Sequence, residues 1–267
     1  MNSDIAYANA DFIPNAADFP PRWAQVAQEF RAKAKNLRLN LEYGPAERQK
    51  LDLFLPEAAR GLVVFVHGGY WRAFGRKDWS HLAAGAVAQG WAVAMPSYSL
   101  APSVRISDIT REVAMAIDHA AAIVPGPIML TGHSAGGHLV ARMNCTDVTL
   151  DCADRIERIV PISPVTDLRP LTQTAMNTDF RLDQTEAVAE SPVLAQGRRA
   201  IPTTVWVGAQ ERPAFLDQAR WLADAWGEAQ LHIAPGFHHF DVAAPLTQAD
   251  SALTRAIVQP PKSSSAL

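Results

Sequence analysis

Cysteine is nearly absent from this 267-residue chain: Cys145 and Cys152 are the only two, and neither belongs to a C-x-x-C pair. Without a second pair there is no four-ligand zinc site to complete, so both thiols are expected to be reduced and structural. Charge is also sparse. Charged residues make up 19% of the chain, lysine and arginine never run beyond two in a row, and the net charge is −3. A basic face of the kind that nucleic acid or an anionic membrane attracts is therefore excluded. No uninterrupted apolar segment approaches the ~18 residues of a spanning helix. The opening Met1-Asn2-Ser3-Asp4-Ile5-Ala6 has neither the basic nor the apolar region of a secretion signal. The expectation is a cytoplasmic protein that acts on a small molecule, with no nucleic-acid or membrane partner and an oligomeric state that no visible feature fixes.

What is present is a chain with 48% hydrophobic residues, long enough to bury a large core. Residues 1–19 read as irregular, and an apolar set at helical spacing (Trp23, Val26, Ala27, Phe30) predicts a helix from Pro21 to about Lys35. Leu37 to Tyr43 and Gln49 to Leu55 alternate apolar and polar residues around a turn at Gly44-Pro45, the pattern of an antiparallel edge hairpin. From Gly61 onward strands and helices alternate. Strands are expected at 61–66, 91–95, 128–131, 156–162, 203–207 and 230–233, and helices at 79–89, 106–123, 135–143, 214–226 and 248–258. Continuous β-branched runs such as Leu62-Val63-Val64-Phe65-Val66 mark strands covered on both faces, so the fold class is α/β: an eight-stranded, mostly parallel sheet between helices. The whole of 1–267 reads as one domain, with an N-terminal helical segment at 1–36. The stretch 164–201 lacks a strand signal and is expected to form a cap over the carboxyl edge of the sheet, where open α/β folds bind ligands. The proline- and serine-rich tail 259–267 is expected to be disordered.

One stretch carries chemistry. Gly132-His133-Ser134-Ala135-Gly136 lies between an expected strand and an expected helix, the context of a G-x-S-x-G nucleophile elbow. Glycines two residues to either side omit Cβ atoms where backbones nearly touch, so the turn can lift the Ser134 hydroxyl clear of the sheet. A serine hydroxyl needs a base, and the base needs an orienting acid. Glu211 is the only carboxylate in the loop after strand 203–207, and Asp217 falls further along in the next helix. Gly236-Phe237-His238-His239-Phe240 follows the last strand, and of its two histidines His239 is the expected base, with Phe240 packing beneath it. A metal site on the paired histidines is discounted, since no H-E-x-x-H motif or carboxylate cluster accompanies them. No cofactor is expected. The backbone N–H groups of Gly69, Tyr70 and Ala135 are expected to hold the oxyanion, each such donor lowering the barrier by ~3 kcal/mol. Tyr70 and Trp71 are expected to wall the substrate pocket, while Trp79 reads as core. His67 reads as a brace for that loop, and His133 and His138 as local structure.

With these residues in view, the chain resembles the α/β-hydrolases of the kynurenine formamidase (arylformamidase) type and the related hormone-sensitive-lipase-like esterases. The matching stretches are Tyr43-Gly44 through Leu51-Asp52-Leu53 to Pro56, His67-Gly68-Gly69-Tyr70-Trp71, Tyr98-Ser99-Leu100-Ala101-Pro102, Gly132 to Leu139, Asp167-Leu168-Arg169-Pro170-Leu171 with Asn177 and Ser191-Pro192, Pro213-Ala214-Phe215, and His239-Phe240. The resemblance implies a catalytic triad of Ser134, Glu211 and His239, with glutamate where many relatives have aspartate. It also implies hydrolysis of N-formylkynurenine or of small carboxylic esters through an acyl-enzyme. A ligand-binding protein on a hydrolase scaffold, a thioesterase and a peptidase remain alternatives at this stage.

Overall fold

The computed structural model describes residues 3–259, so all of the expected tail beyond Gln259 lies outside the described residues. The eight strands are β1 (Leu37–Glu42), β2 (Lys50–Phe54), β3 (Leu62–Val66), β4 (Ala92–Pro96), β5 (Ile128–His133), β6 (Ile156–Ile162), β7 (Thr204–Gly208) and β8 (Gln230–Ala234). They form one sheet in the order β1-β2-β4-β3-β5-β6-β7-β8. β1 pairs antiparallel with β2 and β2 antiparallel with β4, and every later pairing is parallel. Among the described residues nine α-helices accompany the strands: α1 (Ser3–Tyr7), α2 (Phe19–Lys33), α3 (Ala84–Ala88), α4 (Ile106–Ile123), α5 (Ala135–Arg142), α6 (Asn177–Phe180), α7 (Gln184–Ala189), α8 (Pro213–Trp226) and α9 (Ala252–Val258). Among the described residues no helix is long and apolar enough to cross a membrane.

The period-two alternation of a strand explains how the sheet is covered on both faces. Leu62, Val64 and Val66 of β3 join Leu130 of β5 and Ile109, Val113 and Ile117 of α4 in one core cluster. Val63 and Phe65, between them, join Met129, Trp79, Leu253 and Ile257 in the cluster on the opposite face. The parallel order sets β3 and β5 side by side with Val66 opposite Gly132. The loop after β3 and the turn after β5 therefore leave the same edge of the sheet as neighbours.

Three expectations about local structure are corrected. Of the stretch 1–19, read as irregular, the described residues from Ser3 onward form α1 and two 3-10 turns, Ala10–Phe12 and Ala16–Asp18. The helix expected at 79–89 is split into a 3-10 turn at Ser80–Ala83 and the short α3. The last helix begins at Ala252 rather than 248, where Ser251 caps it by accepting from the Thr254 N–H.

Candidate active site

The turn from β5 to α5 gives the site its geometry. Ser134 has φ 56° and ψ −116°, a conformation that costs a non-glycine residue on the order of 1–3 kcal/mol and persists only where its surroundings enforce it. The neighbouring glycines show the enforcement. A Cβ on Gly136 would sit 1.9 Å from the Val66 carbonyl oxygen, and one on Gly132 would sit 2.4 Å from the Gly136 oxygen. With both hydrogens in place, α5 starts almost against the backbone of β3. The Ser134 N–H donates to the Ile162 carbonyl at 2.8 Å, pinning the turn to β6.

Side chains separated by up to 105 positions meet at this turn. His239 Nε2 lies 3.0 Å from Ser134 Oγ, and His239 Nδ1 lies 2.7 Å from Glu211 Oε2. Ser134, His239 and Glu211 are 3%, 4% and 7% exposed, so these contacts are shielded from water and keep most of their electrostatic strength. The other carboxylate oxygen of Glu211 accepts from the Gly208 N–H at 3.0 Å and from the Ser163 hydroxyl. An ionised carboxylate only accepts, so Nδ1 of His239 carries the proton and Nε2 is left free to accept from the Ser134 hydroxyl. The imidazole is held from the side by the Phe215 ring of α8, 4.3 Å away between centroids. Phe240, expected beneath the imidazole, lies 6.3 Å from it between centroids and also packs on Phe19 and Trp23, at 5.6 and 5.4 Å. His238 turns to Asp241, at 3.2 Å, and Asp217 is paired with Arg220 on the exposed side of α8. Ser163 escaped the sequence reading, because a serine after a strand carries no motif; its φ of 48° is the only local mark of its position.

The loop after β3 winds through positive φ at Gly69, Tyr70 and Trp71 (111°, 49° and 55°). At Gly69 a Cβ would stand 2.5 Å from the Ala73 oxygen, so the glycine is required. The Arg72 and Ala73 N–H groups both donate to the Gly69 carbonyl at 3.1 Å, leaving this tight turn presented toward Ser134. Ala135, first residue of α5, has an N–H with no intrahelical acceptor. His67 braces the loop as expected. Its Nδ1 bonds the Gly68 carbonyl at 2.7 Å, its ring stacks on Tyr98 at 4.3 Å, and burial pushes its pKa down to about 3. His138 is held in the same neutral state, its pKa lowered by burial to about 3 and its Nε2 2.7 Å from the Glu190 carbonyl. His133 is buried beside His239, ring centroids 4.7 Å apart; burial, then the neighbouring imidazole, keeps it neutral as well.

A cavity of about 390 Å³ opens onto Ser134 and His239. Its wall carries the rings of Tyr70, Phe74, Trp79, Trp23 and Phe240 together with the charged Asp4, Asp11 and Arg72. Trp71 is not among them, contrary to expectation. It is 0% exposed and wedged edge-on against His138 and Phe180, while the neighbouring Tyr70 ring, 6.3 Å away between centroids, reaches the cavity. Trp79, read as core, both packs in the core and reaches the cavity, where it lies tilted against Trp23 at 4.6 Å between centroids. The cap expected from 164–201 contributes Met176 to the wall. More of the wall is built by residues between Asp4 and Asp11, ahead of the helix α2 that carries Trp23. Bonds that tie that segment down include Tyr70 hydroxyl to the Tyr7 carbonyl at 2.7 Å, Gln218 Nε2 to the Tyr7 hydroxyl at 2.8 Å, the Ala175 N–H to Asp4 Oδ1 at 2.6 Å and an Arg212 guanidinium N–H to the Ile5 carbonyl at 3.3 Å.

Comparison with known proteins agrees with this geometry. The sequence profile of the alpha/beta hydrolase fold matches residues 63–204. The kynurenine formamidase of Danio rerio is 29% identical over 238 residues, covering 83% of this chain and 80% of that protein. A crystal structure from Silicibacter sp. TM1040, titled a "putative thioesterase", is 55% identical, covers 96% of this chain and 99% of that one, and superposes with a TM-score of 0.94. Esterase B of Lactobacillus rhamnosis, 18% identical over 89% of this chain and 90% of its own, shares the fold with a TM-score of 0.68. With the profile spanning more than half of its length, and the Ser134 elbow and β6 both inside the match, this chain belongs to the α/β-hydrolase family.

Proposed function

We propose that the protein is a serine hydrolase that cleaves a small carboxylic ester or an aryl formamide of the N-formylkynurenine kind, with Ser134 as nucleophile, His239 as general base and Glu211 as the acid that orients it. The observation that carries the proposal is the unbroken chain of contacts from Ser134 Oγ to His239 to Glu211, at 3.0 and 2.7 Å. As Ser134 attacks the carbonyl carbon, its proton passes to His239 Nε2, and the tetrahedral oxyanion is held by the N–H groups of Gly69, Tyr70 and Ala135. His239 then protonates the departing alcohol or arylamine, and the acyl-enzyme is cleaved by water that His239 deprotonates. Burial of the site lets fixed N–H dipoles act at full strength on the developing charge.

The substrate class rests on the shape and lining of the cavity. About 390 Å³ walled by Phe74, Trp79, Trp23 and Phe240 suits one aromatic ring with a short acyl group, whereas a long acyl chain needs an extended groove. The formamidase relatives support an aryl formamide as that substrate. The name of the 55% identical structure supports a second reading, a small thioester, since the same triad and oxyanion donors serve both carbonyls.

The test compares N-formylkynurenine, phenyl acetate, phenyl thioacetate and a long-chain acyl ester on the wild-type protein and on Ser134→Ala. Turnover of one of the first three is expected, near-complete loss with Ser134→Ala, and labelling of Ser134 by a fluorophosphonate. Wild-type turnover in Ser134→Ala, or an inert Ser134, overturns the proposal.

A further inference from the structure

The imidazole of His239 is bonded at two atoms, Nδ1 to Glu211 and Nε2 to Ser134. Two bonds define an axis and leave a ring free to tilt about it, so the plane of the base is set by whatever packs against it. The closest ring is Phe215 of α8, at 4.3 Å between centroids, ahead of His133 at 4.7 Å and Phe240 at 6.3 Å. Phe215 is 0% exposed, and among the described residues two rings meet it: His239, and Tyr7, which lies edge-on at 5.9 Å. The ring that steadies the base is itself backed by Tyr7.

Tyr7 is 4% exposed and anchored at both ends. Its carbonyl accepts from the Tyr70 hydroxyl at 2.7 Å, and its own hydroxyl accepts from Gln218 Nε2 at 2.8 Å. Gln218 is a firm anchor. It is 0% exposed, its Oε1 accepts from the Thr166 and Asp167 N–H groups at 2.6 and 2.7 Å, and its Nε2 also donates to the Asp167 carbonyl at 2.9 Å. Phe215 and Gln218 stand three positions apart on α8 and so share one face of the helix, the face that Tyr7 meets. A role confined to fastening the segment needs no ring here. The Tyr70 bond goes to the backbone of residue 7, which any side chain retains, and Asp4 and Ile5 make further ties to Ala175 and Arg212. The ring itself is what reaches Phe215.

We infer that Tyr7 is a positioning residue of the hydrolytic site, its ring holding Phe215 against the His239 imidazole so that Nε2 stays in line with the Ser134 hydroxyl. The inference deepens the serine-hydrolase reading and rests on it. A base that tilts out of line leaves substrate binding alone and slows the transfer of the serine proton, so the loss falls on kcat. Tyr7 also lines the cavity, and a lost piece of wall falls on KM instead.

The experiment compares Tyr7→Leu and Tyr7→Phe with the wild-type protein in two readouts. One is kcat and KM on phenyl acetate; the other is the far-downfield proton resonance of His239 Nδ1–H, which donates to the Glu211 carboxylate at 2.7 Å. Tyr7→Leu is expected to lower kcat about tenfold or more, to change KM by less than about threefold, and to shift or broaden the resonance. Tyr7→Phe keeps the ring and gives up only the hydroxyl, so it is expected to hold kcat within about threefold of wild type and to restore the resonance. A rise in KM alone with the resonance unmoved, or an equal loss of kcat in both variants, overturns the inference. If Tyr7→Leu does not fold, as judged by circular dichroism, Tyr7→Met fills the space without a ring and is held to the same criteria. In the wild-type protein with labelled aromatic residues, Phe215 is expected to show nuclear Overhauser contacts to both Tyr7 and His239; absence of the Tyr7 contact overturns the inference. Failure of the hydrolase reading is seen separately, as a wild-type Ser134 that takes no fluorophosphonate. The resonance needs no turnover, so a shift in Tyr7→Leu that Tyr7→Phe reverses still supports the hold of Tyr7 on His239, and an unmoved resonance refutes it.

Discussion

Replacing Glu211 by glutamine changes one atom in the interior of the site and leaves its shape alone. The structure dictates how the new side chain must sit. One oxygen of Glu211 receives both the Gly208 N–H and the Ser163 hydroxyl, so the carbonyl of a glutamine is held on that side. Its NH2 group is then forced toward His239 Nδ1, where the carboxylate oxygen stood at 2.7 Å. A donor facing Nδ1 makes that nitrogen the acceptor and moves the ring proton to Nε2, which can no longer take the proton of Ser134. A reversed tautomer in a serine–histidine–acid triad lowers kcat on the order of 10⁴-fold, about 5.5 kcal/mol of barrier. Stability should move far less, because every hydrogen bond on the Gly208 side survives. The assay is turnover of phenyl acetate by Glu211→Gln beside a thermal melt. A loss smaller than about tenfold with the melting temperature unchanged refutes the claim that Glu211 sets the tautomer.

Ser163→Ala removes one donor from Glu211 and leaves the Gly208 N–H in place; kcat on phenyl acetate should fall by about tenfold, and an unchanged kcat rules out a role for Ser163 in orienting the acid. Gly136→Ala puts a methyl group 1.9 Å from the Val66 carbonyl oxygen, so the protein should fail to accumulate in folded form; a normal thermal melt contradicts the close approach of α5 to β3. Trp71→Ala should cost about 3–5 kcal/mol of stability in a denaturant titration, as an emptied core site does, whereas Phe74→Ala should mainly raise KM for aryl esters; the reverse pattern shows that the two rings have been assigned to the wrong sides of the loop. Burial depresses the pKa of His67 and of His138 to about 3 in the folded protein, while the unfolded chain takes up those protons near pH 6.5. The stability they support is therefore intact above pH 6.5 and drains away between about pH 6.5 and 3, at about 1.4 kcal/mol per pH unit for each histidine. His138→Gln should flatten that acid limb by one such increment in melts taken across the range.

Much of the fold is legible because its signals are local. The β-branched run of β3, the helical spacing of α4 and the glycine spacing around Ser134 each depend on residues a few positions apart, and the structure places those elements within a residue or two of their expected bounds. Splitting of the helix at 79–89 was not legible, since the turn Ser80–Ala83 is shaped by Arg31 of α2, whose guanidinium donates to the Ser80 hydroxyl at 2.7 Å.

The sequence by itself determined the kinds of residue available for chemistry and the order in which strands would deliver them: a serine at a strand-to-helix turn, then a carboxylate, then a histidine. Tertiary structure alone decided their distances, because the meeting of Ser134, Glu211 and His239 depends on three parallel strands ending at one edge. It alone decided that Ser163 would steady the acid, that Trp71 would turn inward while Tyr70 turned to the cavity, and that the segment from Asp4 to Asp11 would close the wall expected of 164–201. Each of those outcomes is a contact between residues far apart in the chain, and no local spacing records which of two neighbouring rings, or which of two distant loops, the packed sheet will leave room for.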